Sequence, residues 1–240
     1  MMAEPFQPLT GKTLRTSVID TIRQAILDGS LMPGEQVNQA HIAEKLGISR
    51  GPVREALGQL EQEGLIRNVP YKGTYVTEIT REYIEELYSM RQVLEEFAIR
   101  RATVLIEPDE LAELHAVVAD MKAAADAEDS GRLGQLDIRF HALICQSARH
   151  HLLMQTWKAL DVGVRRCLAL RHRIYSDPRD IVGTHPDILA ALEARDADRA
   201  DELLSVHIQE AGEQLIKVWA ANQQTVAIDT NAGVLSDQLF

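Results

Sequence analysis

Apolar positions near residue 40 repeat with the spacing of a short amphipathic helix. Ile42 and Leu46 are one helical turn apart, which indicates a helix. Asn38 precedes them and is predicted to be the N-cap, because its side-chain oxygen can accept from the free amides of the first turn. Gly47 follows as a left-handed helix stop. The pattern therefore predicts one short helix that ends at Gly47.

A second short helix is predicted directly after this turn. Ser49 is its expected N-cap, and Pro52 lies in the first turn, where a missing N–H removes no intrahelical bond. Val53, Leu57 and Leu60 follow at i, i+4 and i+7 and give the helix one buried face. Two helices around a Gly-containing turn predict a helix-turn-helix.

The flanking segments complete a small domain. A helical stripe from Thr13 to Leu27 is expected to pack under the two-helix unit. After the second helix, the segments 65–69 and 74–76 look like strands around the turn at 70–73, which predicts a hairpin, or wing. We therefore expect a winged helix-turn-helix domain over residues 1–78.

From Thr80 onward the periodicity is helical almost to the end, with polar breaks near residues 107–108, 128–131, 177–178 and 195–196. About six helices are predicted, which suits an all-α bundle over residues 79–222. Residues 223–240 are polar and weakly periodic and are expected to form a loosely ordered tail. The predicted fold class is mostly α.

Charge is divided unevenly between the two predicted domains. The 240-residue chain has a net charge of −11. Residues 1–78 hold 8 Lys and Arg against 9 Asp and Glu, whereas residues 79–240 hold 17 against 27. The stretch from Lys45 to Arg54 contains three cations and no acid. Local charge governs contact with phosphates, so the overall acidity does not argue against nucleic-acid binding.

The sequence indicates a cytoplasmic protein with no membrane partner. The segment 1–12 lacks the apolar core of a signal peptide, and no later run approaches membrane-spanning length. Cys145 and Cys167 are far apart and form no CxxC pair, so they are interpreted as buried thiols.

Arg50 and Arg54 lie four residues apart near the N-terminus of the second helix. Two cations are unfavourable at that end of the helix dipole unless an anion is expected. A helix presenting arginines from its first half suits the major groove, and Lys72 and Gly73 at the wing tip suit phosphates or the minor groove. The alternative is an ordinary helical hairpin with solvated arginines; the wing that follows favours DNA binding.

Arg91 lies on an apolar helical stripe with Ile84, Leu87, Leu94 and Ala98. An arginine that faces a core needs an anion, since a buried unpaired charge costs several kcal/mol, roughly 3–5. One hypothesis is a structural pair with Glu95, one turn on, and the stripe alone favours it. The other is a guanidinium that holds a carboxylate ligand bidentately.

Four potential metal ligands fall on predicted inward faces of the second domain. Asp137 and His141 are four residues apart, and His185 and His207 lie on separate apolar stripes. Singly, each histidine is most simply a core residue with a hydrogen-bond partner. Together the four residues can bind a divalent cation, with zinc as the first expectation and nickel or manganese as alternatives. Five other histidines lack such a pattern and are interpreted as surface or packing residues: His41, His115, His150, His151 and His172.

An extended pattern in the first domain closely resembles the GntR family of bacterial transcription regulators. It consists of Asp28-Gly29-x-Leu31-x-Pro33-Gly34, Ile42-Ala43-x-x-Leu46-Gly47-Ile48-Ser49-Arg50-x-Pro52-Val53-Arg54-Glu55-Ala56-Leu57-x-x-Leu60, and Glu63-Gly64-Leu65-Ile66 with the wing glycine Gly73. The resemblance implies operator contacts from six residues: Ser49, Arg50, Gly51, Arg54, Lys72 and Gly73.

The second domain resembles the FCD effector-binding domain of the FadR branch of this family. The matching segments are Arg91-x-x-Leu94-Glu95, Asp137-x-x-Phe140-His141, His185-x-x-Ile188-Leu189 and Asp196-x-x-x-Ala200-x-x-x-Leu204-x-x-His207. The resemblance implies that Asp137, His141, His185 and His207 bind a divalent metal. It also implies that Arg91 helps to hold a small carboxylate.

These features predict a regulator and no enzyme. The expected form is a homodimer that binds a pseudo-palindromic operator and responds to a small organic acid at the metal site. One alternative is a metal-dependent enzyme in which the Asp and three His activate water. A second alternative is a purely structural metal, with regulation elsewhere.

Overall fold

The computed structural model describes the backbone of residues 14–172 and 182–236, and the side chains of residues 14–168 and 182–221. The chain divides into two compact units, Met1–Glu78 and Ile79–Phe240. Helices dominate both units, and β-structure occurs in the first.

The first unit is a winged helix-turn-helix, as predicted. Its elements are α1 (Leu14–Leu27), α2 (Gln39–Leu46), α3 (Arg50–Gln62), β1 (Ile66–Val69) and β2 (Gly73–Val76). Val18, Ile22 and Ile26 of α1 are buried, and α1 packs against α3. The apolar face of α3 is also buried and consists of Val53, Ala56, Leu57 and Leu60.

The start and end of α2 confirm the predicted capping. Asn38 accepts hydrogen bonds from the amides of Ala40 (3.0 Å) and His41 (3.1 Å). Gly47 ends the helix with a φ of 65°. Leu46, however, is 37% exposed, and Ala43 is the residue of α2 that is buried.

The wing is held by the segment that precedes α2. Strands β1 and β2 are antiparallel, with Ile66 opposite Val76 and Val69 opposite Gly73. The amide of Val37 donates to the carbonyl of Thr74 (2.8 Å), on the outer side of β2. The backbone leading into the helix-turn-helix is therefore attached to the wing strand.

The second unit contains six helices among its described residues. They are α4 (Arg81–Leu105), α5 (Pro108–Asp126), α6 (Ser130–Ser147), α7 (His151–His172), α8 (His185–Glu193) and α9 (Ala197–Ser236). Helix α4 packs along α9 and also contacts α6 and α7, while α5 packs on α6. This is the predicted all-α bundle.

The last helix extends beyond residue 222, where the sequence predicted a polar tail. Helix α9 continues through Ser236, and only residues 237–240 lie outside the described part of that region. Residues 223–232 contain no glycine or proline. Each residue added to an existing helix gains one backbone hydrogen bond, so propagation needs no strong apolar period.

Both cysteines are buried free thiols, as predicted. Burial raises the pKa of the Cys167 thiol to about 12. Within the described residues, no helix combines the length and apolar character that crossing a bilayer requires.

Candidate metal centre and nucleic-acid interface

Four side chains of the second unit converge on one point. Helix α6 contributes Asp137 and His141, His185 is the first residue of α8, and His207 comes from α9. One ligand atom from each lies within 4.8 Å of all the others. The fold thus brings together all four residues that the sequence suggested, from three separate helices.

The closest distances suit ligands of a common ion. His141 Nε2 lies 3.2 Å from His207 Nε2, and His185 Nε2 lies 3.2 Å from Asp137 Oδ1. Two ligands at about 2.1 Å from one zinc ion are about 3.0 Å apart at a right angle and about 3.4 Å apart at the tetrahedral angle. The donor set of one carboxylate and three imidazoles is also one that such ions prefer.

His185 gives the clearest indication that an ion belongs here. Its side chain is fully buried, and neither ring nitrogen has a hydrogen-bond partner among the described residues. Its contact with Asp137 is close, but the two groups are not aligned as donor and acceptor. A buried nitrogen without a partner is costly, and coordination of a cation would satisfy Nε2, the nitrogen that faces Asp137.

The other two imidazoles are oriented through their Nδ1 atoms. His141 Nδ1 lies 2.5 Å from Glu95 Oε2, and His207 Nδ1 lies 2.7 Å from the hydroxyl of Thr184. When Nδ1–H donates to such a partner, the lone pair of the neutral ring is on Nε2. Both Nε2 atoms then point at the shared site as potential ligands.

Glu95 connects this centre to Arg91 and Trp157. Arg91 Nε donates to Glu95 Oε1 at 2.7 Å, and the indole Nε1 of Trp157 donates to the same oxygen at 2.9 Å. Burial would raise the pKa of Glu95, but Arg91 and His141 outweigh it and lower the pKa to about 2. Arg91 is therefore in the structural pair with Glu95 that the stripe alone favoured.

The protonation states suit metal binding. Burial raises the pKa of the Asp137 carboxyl, but contact with His185 and the nearby guanidinium of Arg91 hold that pKa well below its usual range. Burial lowers the pKa of His141. Burial, followed by the neighbouring His185 and His141, lowers the pKa of His207 strongly. An ionised carboxylate beside neutral imidazoles is the state that a divalent ion requires.

Sequence reasoning missed three residues around this centre. Glu95 was considered only as a partner of Arg91, although it also lies against His141. Its place on the buried face of α4, one turn after Arg91, was the available signal; Glu95 is fully buried there, whereas Leu94 is only half-buried. Thr184 and Trp157 had no signal in their spacing, because their partners lie on other helices.

The residues expected to contact DNA are on the surface of the first unit. Ser49, Arg50, Arg54 and Lys72 are exposed. Ser49 occupies the N-cap position of α3, but its hydroxyl makes no capping bond, contrary to expectation. Within the described residues, Arg50, Arg54 and Lys72 make no ion pair. Gly51 is half-buried, and an added Cβ there would meet only the Ser49 hydroxyl, at 4.0 Å.

The wing tip is fixed by contacts to its backbone. Gln36 Nε2 and the hydroxyl of Tyr75 both donate to the carbonyl of Lys72, at 3.0 and 3.1 Å. Gly73 has a φ of 111°, and a Cβ on it would lie 3.0 Å from Gln36 Nε2. These contacts leave the Lys72 side chain exposed and make Gly73 difficult to replace.

The remaining histidines whose side chains are described do not join either site. His41 and His151 are exposed, and His115 lies 3.4 Å from Glu193 on the surface. His150 packs edge-on against Phe97. The side chain of His172 lies outside the described residues.

A winged helix-turn-helix unit joined to a helical unit with a buried ligand centre defines a DNA-binding transcription regulator with a sensing domain. Residues 14–76 match the bacterial regulatory proteins of the gntR family, and residues 86–210 match the FCD domain. The chain therefore belongs to the GntR family and carries an FCD domain. Members bind DNA and are regulators, not enzymes; FCD domains bind small-molecule effectors and commonly a metal ion.

Individual relatives agree with this assignment. The HTH-type transcriptional repressor RspR of Escherichia coli is 28% identical over 218 residues, which is 91% of this chain and 93% of that protein. A probable D-xylose utilization operon transcriptional repressor of Paenarthrobacter nicotinovorans is 31% identical over 83% of this chain and 88% of its own length. The E. coli McbR/YncC structure has the same fold, with a TM-score of 0.74, 24% identity and coverage of 87% of this chain and all of that one.

Proposed function

We propose that this protein is a homodimeric regulator that binds a pseudo-palindromic operator and responds to a small carboxylate held at a divalent metal. The observation that supports the sensing part is the convergence of Asp137, His141, His185 and His207 within 4.8 Å, with His185 lacking any other described hydrogen-bond partner. Zinc is the first expectation because three imidazoles suit it, and nickel or manganese would suit a higher coordination number.

When bound, the ion would supply a positive charge that attracts a ligand carboxylate and polarises its oxygen. The chain itself holds Arg91 next to this centre through the bond from Arg91 Nε to Glu95. The two terminal nitrogens of Arg91 make no hydrogen bond to any described residue. These nitrogens form the fork that matches a carboxylate, so Arg91 would serve both the structural pair and the ligand.

Charge and the name of one relative support the proposed class of ligand. A cation and an arginine favour a small organic acid over a neutral molecule. One relative is named for a D-xylose utilization operon, which supports a ligand derived from catabolism.

Operator binding is assigned to the exposed residues of the first unit: Ser49, Arg50, Gly51, Arg54, Lys72 and Gly73. Two copies are expected because one recognition helix reads few base pairs, so two half-sites supply the specificity.

A stripe on the outer face of α4 supports pairing of two copies. Met90, Val93, Phe97 and Val104 are 50%, 63%, 48% and 74% exposed. They follow helical spacing, and exposed apolar patches of this kind mark interaction surfaces. A second copy of the same chain is the partner that two-fold operator binding requires.

The free energy of ligand binding limits how much the ligand can change operator affinity. A carboxylate can change DNA affinity by no more than its difference in affinity for the two arrangements of the dimer, typically about 1–3 kcal/mol. We therefore expect a change of roughly 5- to 150-fold in operator affinity at saturating ligand.

The direct test has two stages. Duplexes enriched from a random-sequence library by the full-length protein should share a two-fold motif, and fluorescence anisotropy should give their affinity. The titration is then repeated with zinc, nickel or manganese and a panel of small carboxylates. A doubly substituted protein, Asp137→Ala with His185→Ala, should bind the duplex but lose the response to carboxylate.

Two outcomes would contradict the proposal. Absence of any enriched duplex would refute operator binding. An unchanged carboxylate response in the double variant would refute the metal-held effector. The structural-metal alternative would be supported if chelation unfolded the protein and no carboxylate changed its melting temperature.

A further inference from the structure

A groove runs along the outer side of α6 and α7, away from the metal centre. Its volume is about 540 Å³, within the usual range for small-molecule sites. Leu136, Met154 and Trp157 form apolar parts of its lining. On α6 the groove residue Arg139 lies two positions after Asp137, about 200° around the helix. The groove and the metal centre therefore use opposite faces of α6.

The polar lining of the groove is mainly positive, within a unit that is acidic overall. Four cations and one carboxylate, that of Asp161, line it; the cations are Arg132, Arg139, Lys158 and Arg165. The three arginines already contact carboxylates, those of Asp120, Glu113 and Asp161 respectively. Lys158 is exposed and makes no ion pair with any described residue. An anion at the rim would therefore meet an available ammonium group beside partly neutralised guanidinium groups.

Trp157 connects this groove to the metal centre. Its ring lines the groove, and its indole nitrogen donates to Glu95 Oε1 at 2.9 Å. The other oxygen of Glu95 lies 2.5 Å from His141 Nδ1. A ligand that shifts Trp157 would thus shift the carboxylate that orients a metal-binding imidazole.

We propose that the groove between α6 and α7 is a second ligand site, for an amphipathic organic anion with a flat apolar body and a carboxylate or sulfonate group. The apolar body lies on Leu136, Met154 and Trp157, and the anionic group faces Lys158. Occupancy changes metal affinity through Trp157, Glu95 and His141. This coupling rests on the proposed metal function, whereas binding in the groove does not.

Binding is tested with metal-free, full-length protein and 8-anilinonaphthalene-1-sulfonate as the probe, by fluorescence titration. One site per chain is expected. Lys158→Glu should weaken binding by about tenfold, because an attraction becomes a repulsion. Lys122→Glu, the same charge change on an exposed residue of α5, is the control and should have no effect. Equal effects of the two substitutions would overturn the site.

The anionic character of the ligand is tested with N-phenyl-1-naphthylamine, which keeps the rings and lacks the sulfonate. It should bind the wild-type protein more weakly than the probe, and Lys158→Glu should leave its affinity unchanged. Equal affinity of the neutral and anionic compounds for the wild-type protein would refute the assigned ligand class.

Coupling is tested by measuring zinc affinity, in competition with a chromophoric chelator, with and without the sulfonate probe. A change of about fivefold or more is expected in the wild-type protein, and zinc should change probe affinity by the same factor. Trp157→Phe keeps an apolar ring and removes the N–H, so the coupling factor should fall to about 1. Trp219→Phe is the control, because that indole donates to the carbonyl of Ile79.

Retention of full coupling in Trp157→Phe, or no coupling in the wild-type protein, would refute the proposed route. Failure of the wild-type protein to bind zinc at all would instead refute the proposed metal function, and it would leave the groove titration unaffected.

Discussion

Charged groups are used in opposite ways in the two units. In the first unit, Arg50, Arg54 and Lys72 are exposed and make no ion pair within the described residues. In the second unit, Arg91, Glu95 and Asp137 are buried and in contact with other ionisable groups. Exposed cations that are available to bind phosphate are hydrated and unpaired. In a buried centre, each charge needs a partner within the protein.

Because of this difference, a substitution in the first unit can change binding without changing stability. A substitution in the buried centre of the second unit changes both. Removal of an exposed cation takes away a potential DNA contact and little folding energy. Removal of a buried charge leaves its partner unsatisfied, so it changes both the fold and the site. The following substitutions test that contrast, starting with the largest expected effect.

Glu95→Ala should be the most damaging change. It would leave Arg91 buried without its partner and would remove the acceptor for His141 and Trp157. We expect a loss of about 3–5 kcal/mol in the free energy of unfolding, measured by urea denaturation. Glu96→Ala, at the adjacent half-buried carboxylate, should cost less than about 1 kcal/mol. Similar losses in the two variants would contradict the contrast.

Arg54→Ala should weaken operator binding by about 1–3 kcal/mol without changing the urea midpoint. The reason is that the Arg54 side chain is exposed and forms no ion pair with described residues. Anisotropy titration against a selected duplex measures the effect. Arg67→Ala is the comparison, because Arg67 is paired with Glu78 at 2.6 Å and should contribute several-fold less. Equal losses of operator affinity in the two variants would mean that an ion pair with a carboxylate does not separate the cations that bind DNA from those that do not.

Thr184→Val should reduce metal affinity by about 10- to 100-fold, the usual effect of losing a group that orients a ligand. The valine keeps the shape of the side chain but loses the oxygen that lies 2.7 Å from His207 Nδ1. Competition with a chromophoric chelator measures it, and Thr156→Val, at an exposed threonine of α7, should change nothing. Wild-type affinity in Thr184→Val would show that His207 needs no such partner.

Asn38→Ala should have the smallest effect, a loss of about 1 kcal/mol in the stability of the first unit. It removes the side-chain acceptor for the amides of Ala40 and His41. Thermal unfolding followed by circular dichroism measures it. Ser49→Ala is the matched control, because Ser49 makes no capping bond, so its loss should be smaller. A reversed order would contradict the observed capping.

Local rules predicted the first unit well. Asn38 and Gly47 define the ends of α2 through interactions within a few residues, so spacing alone located them. Spacing did not tell which residue of α2 is buried, because burial depends on how α2 lies against α3: Ala43 is buried, and Leu46 is 37% exposed. The uncapped Ser49 hydroxyl was also beyond the reach of a propensity argument.

In the second unit, spacing predicted which residues face inward. It did not predict the surrounding residues that orient the potential metal ligands. Helical spacing placed Asp137 and His141 on one face, since side chains four residues apart share a face. The roles of Glu95, Trp157 and Thr184 could not be deduced, because each depends on a partner 23 to 62 residues away in the chain.

The sequence by itself determined the order of the elements, the two-unit organisation, the family and the residue types at the candidate metal centre. The elements and the two units follow from periodicity and local capping, which are encoded over a few residues, whereas the family follows from the resemblance of an extended motif. Only the tertiary structure decided that four potential ligand atoms converge, that Glu95 also lies against His141, and that Trp157 lies between a surface groove and the candidate metal centre. Such contacts arise from the packing of distant helices, and no local pattern specifies them.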